Sequence, residues 1–516
     1  MKTKITVLKL ALVACLLYFF VPVCFSQTST PSFVNPVIQM GKVTISGKIA
    51  DMGKARLNKP VQVIFSLCHP ISGEVVKKEI MTDNCGNYSI DLEFETNPVV
   101  VGLVTNLNRG KAIYLEIGNN RDIKLDFAYK KDGSIKLLKY PKSELTEKDM
   151  LSGMDILSKV ANYHSKRKPL QLYNGSPESY LKYVKTEVSD RINLVDKTSL
   201  LSDSFKDYIK KDAFFFCSTF LFDYEGEMQF NYRDFHNGDL MPDSLKIAIP
   251  TLGYYSFMKD INLNSKLCLY SFLFPDFQEQ MLRNDTLNIS PIGTTPIAAW
   301  QRTVKNRIST LIGFDSGQYY DVLTANSYAR QLNADVKPLS EIQKQNIHAY
   351  FQGGEIEKIL LHANEKVLSR VSSIESLVVK DCSDIPDADH LIADILKNNV
   401  GKVVVVDLWA TWCGPCLMAL KEMRHLELPL KSEELAHVYI TGDSSSKVLW
   451  SKMIKEMGGQ QYYLDAKIWE KLMDKYSFEA IPSYLIFNKK GELKSKFTGY
   501  RGNRQMAEFI KDALKL

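Results

Sequence analysis

Apolar and polar residues alternate in short runs from about residue 27 to residue 140, as in 43-VTISGKI-49, 61-VQVIFSL-67, 88-YSIDLEF-94 and 111-KAIYLEI-117. A period of two sends successive side chains to opposite faces, so each run predicts a half-buried strand. Turn formers punctuate them at Asn58-Lys59-Pro60, Ser72-Gly73 and Asn84-Cys85-Gly86. Together they predict a small antiparallel β-sandwich over 27–140. From 141 to 378 the period lengthens to that of a helix, as in 177-PESYLKYVKTEVSDRINLV-195 and 341-EIQKQNIHAYFQGGEIEKILLHANEKVLSRV-371, and predicts an α-helical domain. Its aromatic residues, among them Phe214, Phe215, Phe216, Tyr254, Tyr255, Tyr319 and Tyr320, are assigned to its core, with a ligand-binding groove as the alternative. From 379 to 516 the two periods alternate. Strands are expected at 402–409, 436–441, 483–488 and 492–499, and helices at 414–426, 447–457, 467–476 and 503–516. The acidic stretch 381-DCSDIPDADH-390 reads as a linker or short leading element. That order predicts a central mixed sheet with helices on both faces.

A chain of 516 residues is too long for one hydrophobic core, and three domains fit the changes of period. The first residues stand apart. Lys2, Lys4 and Lys9 precede an apolar run from Leu10 to Val23 and then Cys24-Phe25-Ser26, which predicts a signal peptide over 1–26 and export to the periplasm or cell envelope. The run is shorter than a membrane span needs. Bulky Val23 argues against Cys24 as a lipid-bearing cysteine. Removing three lysines from the 65 basic residues leaves an excess of three over the 59 acidic ones, too small to argue for nucleic acid. Cys68, Cys85, Cys217, Cys268, Cys382, Cys413 and Cys416 remain, an odd number in a compartment that permits disulfides. Cys68 and Cys85 flank a predicted hairpin, and the pairing of the first five is open.

The chemistry gathers in 402-KVVVVDLWATWCGPC-416. Asp407 closes a run of four valines, and a buried carboxylate without a partner is costly, because leaving water disfavours its ionised form. Cys413 and Cys416 are spaced to share one face of a first helical turn and close a disulfide. Free amides at a helix start favour a thiolate at Cys413, and Pro415 costs nothing where the first turn has no internal partner for its missing donor. Cys413 becomes the exposed attacking sulfur and Cys416 the resolving one. A zinc site would need a second cysteine pair or closely spaced histidines, whereas His425 and His437 are far apart. No metal is expected.

The segment 407-DLWATWCGPC-416 resembles the active-site segment of thioredoxins, and 379–516 resembles the exported TlpA and ResA type of thioredoxin-like thiol:disulfide oxidoreductase. The preceding strands resemble the β-sandwich found before such domains in many exported Bacteroidetes-type proteins. The resemblance implies that Ile481-Pro482 is the family's cis-proline site, where backbone holds an extended substrate, and that Trp412, Gly414 and Pro415 form the substrate-facing rim. It implies that Asp407 lies beneath the sulfurs and exchanges a proton with Cys416. Some relatives carry an acidic residue where this chain has Gly414 and Pro415. The interval from Cys416 to Pro482 is longer than in plain thioredoxin, as in TlpA-type members with an inserted element. The expected function is reduction or isomerisation of protein disulfides, with no cofactor beyond the redox-active Cys413–Cys416 disulfide and with electrons from a membrane thiol donor. The alternative is a cell-envelope binding or scaffold protein that uses this domain for docking.

Overall fold

The structure, a computed structural model, describes residues 35–50, 60–118, 122–162, 173, 175–237, 241–242, 244–333, 337–373, 378–380, 387–423, 426 and 434–515. The expected signal peptide, Cys24, Cys382 and His425 lie outside the described residues.

Among the described residues, nine strands come first: β1 (Val37–Ala50), β2 (Gln62–His69), β3 (Glu74–Met81), β4 (Asn87–Asn97), β5 (Val99–Thr105), β6 (Asn108–Ile117), β7 (Ile123–Lys124), β8 (Asp126–Tyr129) and β9 (Ile135–Lys139). One sheet has the order β4-β1-β8-β9 with β7 also on β1, and the other β3-β2-β5-β6. Their inner faces share one core, in which Ile45, Leu92 and Phe127 meet Phe65, Leu103 and Leu115. The sandwich departs from the expected antiparallel pattern where β1 pairs in parallel with β7 and β8. That crossing needs Gly47: a Cβ there would lie 1.7 Å from the carbonyl oxygen of Leu125. The Leu125 amide donates to Ser46 and its carbonyl accepts from Tyr88, which fixes the approach.

Helices α1 (Glu147–Val160), α2 (Pro177–Lys197), α3 (Asp203–Phe222), α4 (Tyr224–Phe235), α5 (Met258–Ile261), α6 (Phe274–Arg283), α7 (Ile297–Ile312), α8 (Gln318–Asn333), α9 (Glu341–Phe351) and α10 (Glu355–Ser373) follow. The continuous helical period expected over 341–371 breaks between α9 and α10, where Gln352 and Gly353 adopt φ of 50° and 80°. Left-handed backbone cannot continue an α-helix, and glycine adopts it at little cost. Helix α3 joins two cores. Phe205, Tyr208 and Ile209 near its start lie in the sandwich core, while Phe215, Phe216 and Leu221 near its end lie in the helical core with Phe277, Tyr319 and Tyr320. The side-chain amide of Asn326 also donates to the carbonyls of Pro70 and Ile71. Packing therefore runs across position 140 without a seam. Cys68, Cys85, Cys217 and Cys268 are free thiols, so Cys68 and Cys85 are not bridged, and Cys85 alone of the four is exposed.

The last region contains β10 (Val378–Lys380), α11 (Ala388–Lys397), β11 (Val403–Leu408), α12 (Gly414–Met423), β12 (Leu435–Gly442), α13 (Lys447–Met457), β13 (Gln460–Leu464), α14 (Ala466–Lys475), β14 (Ser483–Phe487), β15 (Leu493–Thr498) and α15 (Asn503–Leu514). The sheet order is β10-β13-β12-β11-β14-β15, with β11 parallel to β12 and antiparallel to β14. Val404, Val406 and Leu408 face Leu391 and Ile395 of α11 and Leu472 of α14. Val403 and Val405 face Met506 and Ile510 of α15. Both faces of β11 are thus covered, which is why it reads as an unbroken valine run. The interval between Cys416 and Pro482 holds α13 and β13, and β13 enters the sheet between β10 and β12. Among the described residues, no helix is long and apolar enough to cross a membrane.

Candidate active site

Strand β11 delivers the chain to the site. Its last residues, Asp407 and Leu408, are buried, and the chain then passes through Trp409, whose amide donates to the carbonyl of Ile440, to Cys413 at the start of α12. Cys413 caps the helix with its carbonyl, which accepts from the Leu417 amide, so Gly414 and Pro415 occupy the first turn. Cys413 and Cys416 form a disulfide with Cα atoms 5.2 Å apart. The Cys416 amide points at the Cys413 sulfur at 3.2 Å. Helix-start amides aimed at that atom are the arrangement that favours a thiolate there after reduction.

Across from the disulfide, the Ile481–Pro482 peptide is cis, and the Ile481 carbonyl oxygen lies 3.8 Å from the Cys413 sulfur. In the disulfide this is a contact; a reduced thiol at the same place has a proton to donate. The loop before Pro482 is held by the Ser483 hydroxyl, which bonds the Ala480 carbonyl and Thr498, and by the Gly499 amide, which donates to the Pro482 carbonyl. Trp412 is 63% exposed, and its indole N–H meets the Ser444 hydroxyl at 3.3 Å, so it stands on the rim. Trp409 is fully buried against both sulfurs, with Trp450 and Ile454 of α13. Nothing lies within 4 Å of where a Cβ on Gly414 would be, so the space beside the disulfide is open at that position.

Exposure separates the two sulfurs less than the sequence suggests. Cys413 is 3% exposed and Cys416 1%, because Trp409, Ile481 and α13 close around both in the oxidised state. Their asymmetry lies in position: Cys413 is outside the helix, beside open Gly414 and the Ile481 carbonyl, while Cys416 is inside the first turn.

Asp407 is 2% exposed, and neither carboxylate oxygen has a hydrogen-bond partner among the described residues. It is no solvent-facing strand end. Burial alone pushes its pKa up to about 8. In register it stands between Tyr439 on β12 and Tyr484 on β14. Tyr439 packs against the cluster that holds both sulfurs, which puts the carboxyl next to the residues lining the disulfide. The histidine of the zinc argument within the described residues, His437, lies on β12, and burial lowers its pKa to about 4. Among the described residues no group of three or more His, Cys, Asp and Glu side chains is placed to hold a metal.

Three features escaped the sequence reading. Ser445, buried in the turn after β12, accepts from the Thr411 amide, shares a 2.7 Å hydrogen bond with Thr441, and accepts at its carbonyl from Tyr463. It ties the loop before Cys413 to the neighbouring strand. Tyr484 lies inside 483-SYLIFN-488, where a tyrosine reads as ordinary core. Gly442 admits the Trp469 ring, which a Cβ would meet at 3.0 Å. Only the last has a sequence signal, a glycine at a strand end.

Residues 401–493 match the thioredoxin-like family model. A thioredoxin of Staphylococcus epidermidis is 31% identical over 108 residues, which are 21% of this chain and 79% of that protein. The chain belongs to the thioredoxin family. Its thioredoxin-like domain is also 29% identical over 123 residues to the chloroplastic thioredoxin Y2 of Arabidopsis thaliana, covering 24% of this chain, and spans 58% of that relative's length. The thiol-disulfide oxidoreductase ResA of Bacillus anthracis is 26% identical over 117 residues, 22% of this chain and 66% of the relative. Each of these relatives matches roughly a quarter of the chain or less, and the family model matches only part of the last region.

Proposed function

We propose that this protein is an exported thiol:disulfide oxidoreductase that reduces or isomerises protein disulfides in the periplasm or cell envelope. One arrangement carries the reading: a disulfide whose outer sulfur, at a helix start, lies 3.8 Å from the carbonyl of a cis Ile481–Pro482 peptide, above a strand ending in a buried carboxyl. In the reduced protein the Cys413 thiolate attacks one sulfur of a substrate disulfide, and the other substrate sulfur leaves as a thiolate. The Ile481 backbone is placed to align an extended substrate segment, with Trp412, Gly414 and Pro415 as the rim around it. The ionised Asp407 carboxylate then takes the proton of the Cys416 thiol, and the resulting thiolate attacks Cys413. The Cys413–Cys416 bond forms, the mixed disulfide breaks, and the second substrate sulfur leaves with the electron pair and picks up a proton. Two electrons have passed to the substrate. A membrane thiol donor returns the site to its reduced form by the same exchange in reverse, and no further cofactor is required. The similarity to ResA of Bacillus anthracis, a thiol-disulfide oxidoreductase, supports this assignment.

The test is a substrate trap in the full chain. With Cys416→Ser, Cys413 still attacks but no neighbouring thiolate resolves the product, so covalent complexes accumulate; with Cys413→Ser they do not. Equal trapping by both variants sinks the assigned roles, and failure of the wild type to reduce insulin disulfides favours a docking module instead.

A further inference from the structure

Among the described residues, no cation balances the carboxyl of Asp407. Tyr439 on β12 and Tyr484 on β14 flank it in register, Tyr500 after β15 feels its charge, and burial keeps His437 on β12 neutral near pH 7. Glu422 and Glu79 also act on Tyr500, and both are acidic. An anion at Asp407 therefore needs a neutral donor. Residues directly opposite across a strand pair point to the same face with Cβ atoms about 5 Å apart, and Tyr484 is directly opposite Asp407. Tyr484 is fully buried, its ring stacked on Phe497 at 5.2 Å, and its hydroxyl has no partner. Tyr439, on the other side, is only partly buried and is stacked with His437. Two buried polar groups, neither with a hydrogen-bond partner among the described residues, stand in direct register on adjacent strands.

We propose that Tyr484 is a positioning residue for Asp407, its hydroxyl donating a hydrogen bond to the carboxylate when that group is ionised, in place of a buried cation. The inference rests on Asp407 as the proton acceptor of the exchange reaction. In the oxidised protein burial holds the carboxyl toward its neutral form, and the two side chains are not hydrogen-bonded. When the anion forms, a charge-assisted O–H···O⁻ bond is among the stronger interactions a dry site can supply. Tyr484 touches neither substrate nor sulfur in this role. It sets the acidity of the group that does the proton transfer.

The experiment is a carbon-13 NMR titration of the Asp407 carboxyl in the full oxidised chain, the signal assigned by its loss in Asp407→Asn. Tyr484→Phe keeps the ring and removes the donor, and the titration midpoint is expected to rise by about one pH unit or more. Tyr439→Phe is expected to move it less. Replacing Tyr484 with 3-fluorotyrosine, whose hydroxyl is a stronger donor, is expected to lower the midpoint, and this variant retains every packing atom. An unmoved midpoint in Tyr484→Phe, an equal shift in Tyr439→Phe, or a rise with fluorotyrosine overturns the proposal. Stopped-flow resolution of a mixed disulfide separates the premise from the inference. If Asp407→Asn leaves the pH profile of resolution unchanged, Asp407 is not the acceptor, whereas a shifted carboxyl titration still establishes the pairing of Asp407 with Tyr484.

Discussion

Asp407 gives the domain a pH dependence whose sign can be worked out. Its carboxyl titrates near 3.8 when exposed and is pushed up to about 8 by burial in the folded protein. Well below pH 3.8 both states hold the proton, and the group adds no pH dependence. As pH rises from about 4 to 8 the unfolded chain loses the proton while the native state keeps it, so this group's contribution falls across that window and then levels. Asp407→Asn is expected to flatten the slope and to make the oxidised domain more stable at pH 8 by several kcal/mol, read by denaturant melts at pH 5 and pH 8; equal slopes in the two proteins sink this prediction. The same variant should slow resolution of the mixed disulfide more than initial attack. Gly414 is the second residue with a definite consequence. The open space there admits a side chain, and Gly414→His is expected to place a cationic donor near the Cys413 thiolate and raise the redox potential by about 30 mV or more, since about 1.4 kcal/mol corresponds to that shift in a two-electron couple. Equilibration with glutathione buffers measures it. Asp407 was legible because a charge ending a valine run demands a reason, whereas Tyr484 was not, because a tyrosine in an apolar strand is ordinary core until a register puts a carboxyl opposite it.

At the scale of elements, the strongly periodic segments were read to within a few residues, and those hidden by polar residues were missed. Strand β13 begins Gln460-Gln461, and Gln461 is fully buried with its side-chain nitrogen donating to the Gly458 carbonyl, so a polar residue masks a core position. Helix α11 starts within what reads as an acidic linker: Asp387 is its N-cap, and Leu391, Ile392 and Ile395 form its buried stripe. The break between α9 and α10 was written in Gly353-Gly354, since one left-handed residue outweighs a continuous apolar period. Ser445 had no sequence signal, because its partners Thr411, Thr441 and Tyr463 come from three separate elements. Removing its hydroxyl strands a buried amide, so Ser445→Ala is expected to destabilise the thioredoxin-like domain by about 2 kcal/mol. A thermal or denaturant melt of the disulfide-bonded form checks this, and a loss below about 0.5 kcal/mol contradicts the bracing role.

At the scale of the molecule, the change of period near residue 140 marks a change of secondary structure, but one core runs across it through α3. The clusters of the thioredoxin-like domain share no residue with those cores. Calorimetry of the full chain is therefore expected to resolve two transitions, one for the sandwich with the helices and one for the last domain, and only the second should move when the disulfide is reduced. A single transition that moves as a whole contradicts this division. Removing residues 27–375 should leave reduction of small disulfides largely intact, while removing the sandwich alone would expose Phe205, Tyr208 and Ile209 and bring down the helical region. Strand β11, hydrogen-bonded on both edges and covered on both faces, has a further consequence in deuterium exchange. Its amides have no local opening available to them, so they should exchange only when the entire domain unfolds. Exchange at Val404 to Leu408 thus becomes a gauge of global opening, and comparing oxidised with reduced protein at those few amides reads how much the Cys413–Cys416 bond stabilises the fold, with no denaturant and no substrate present.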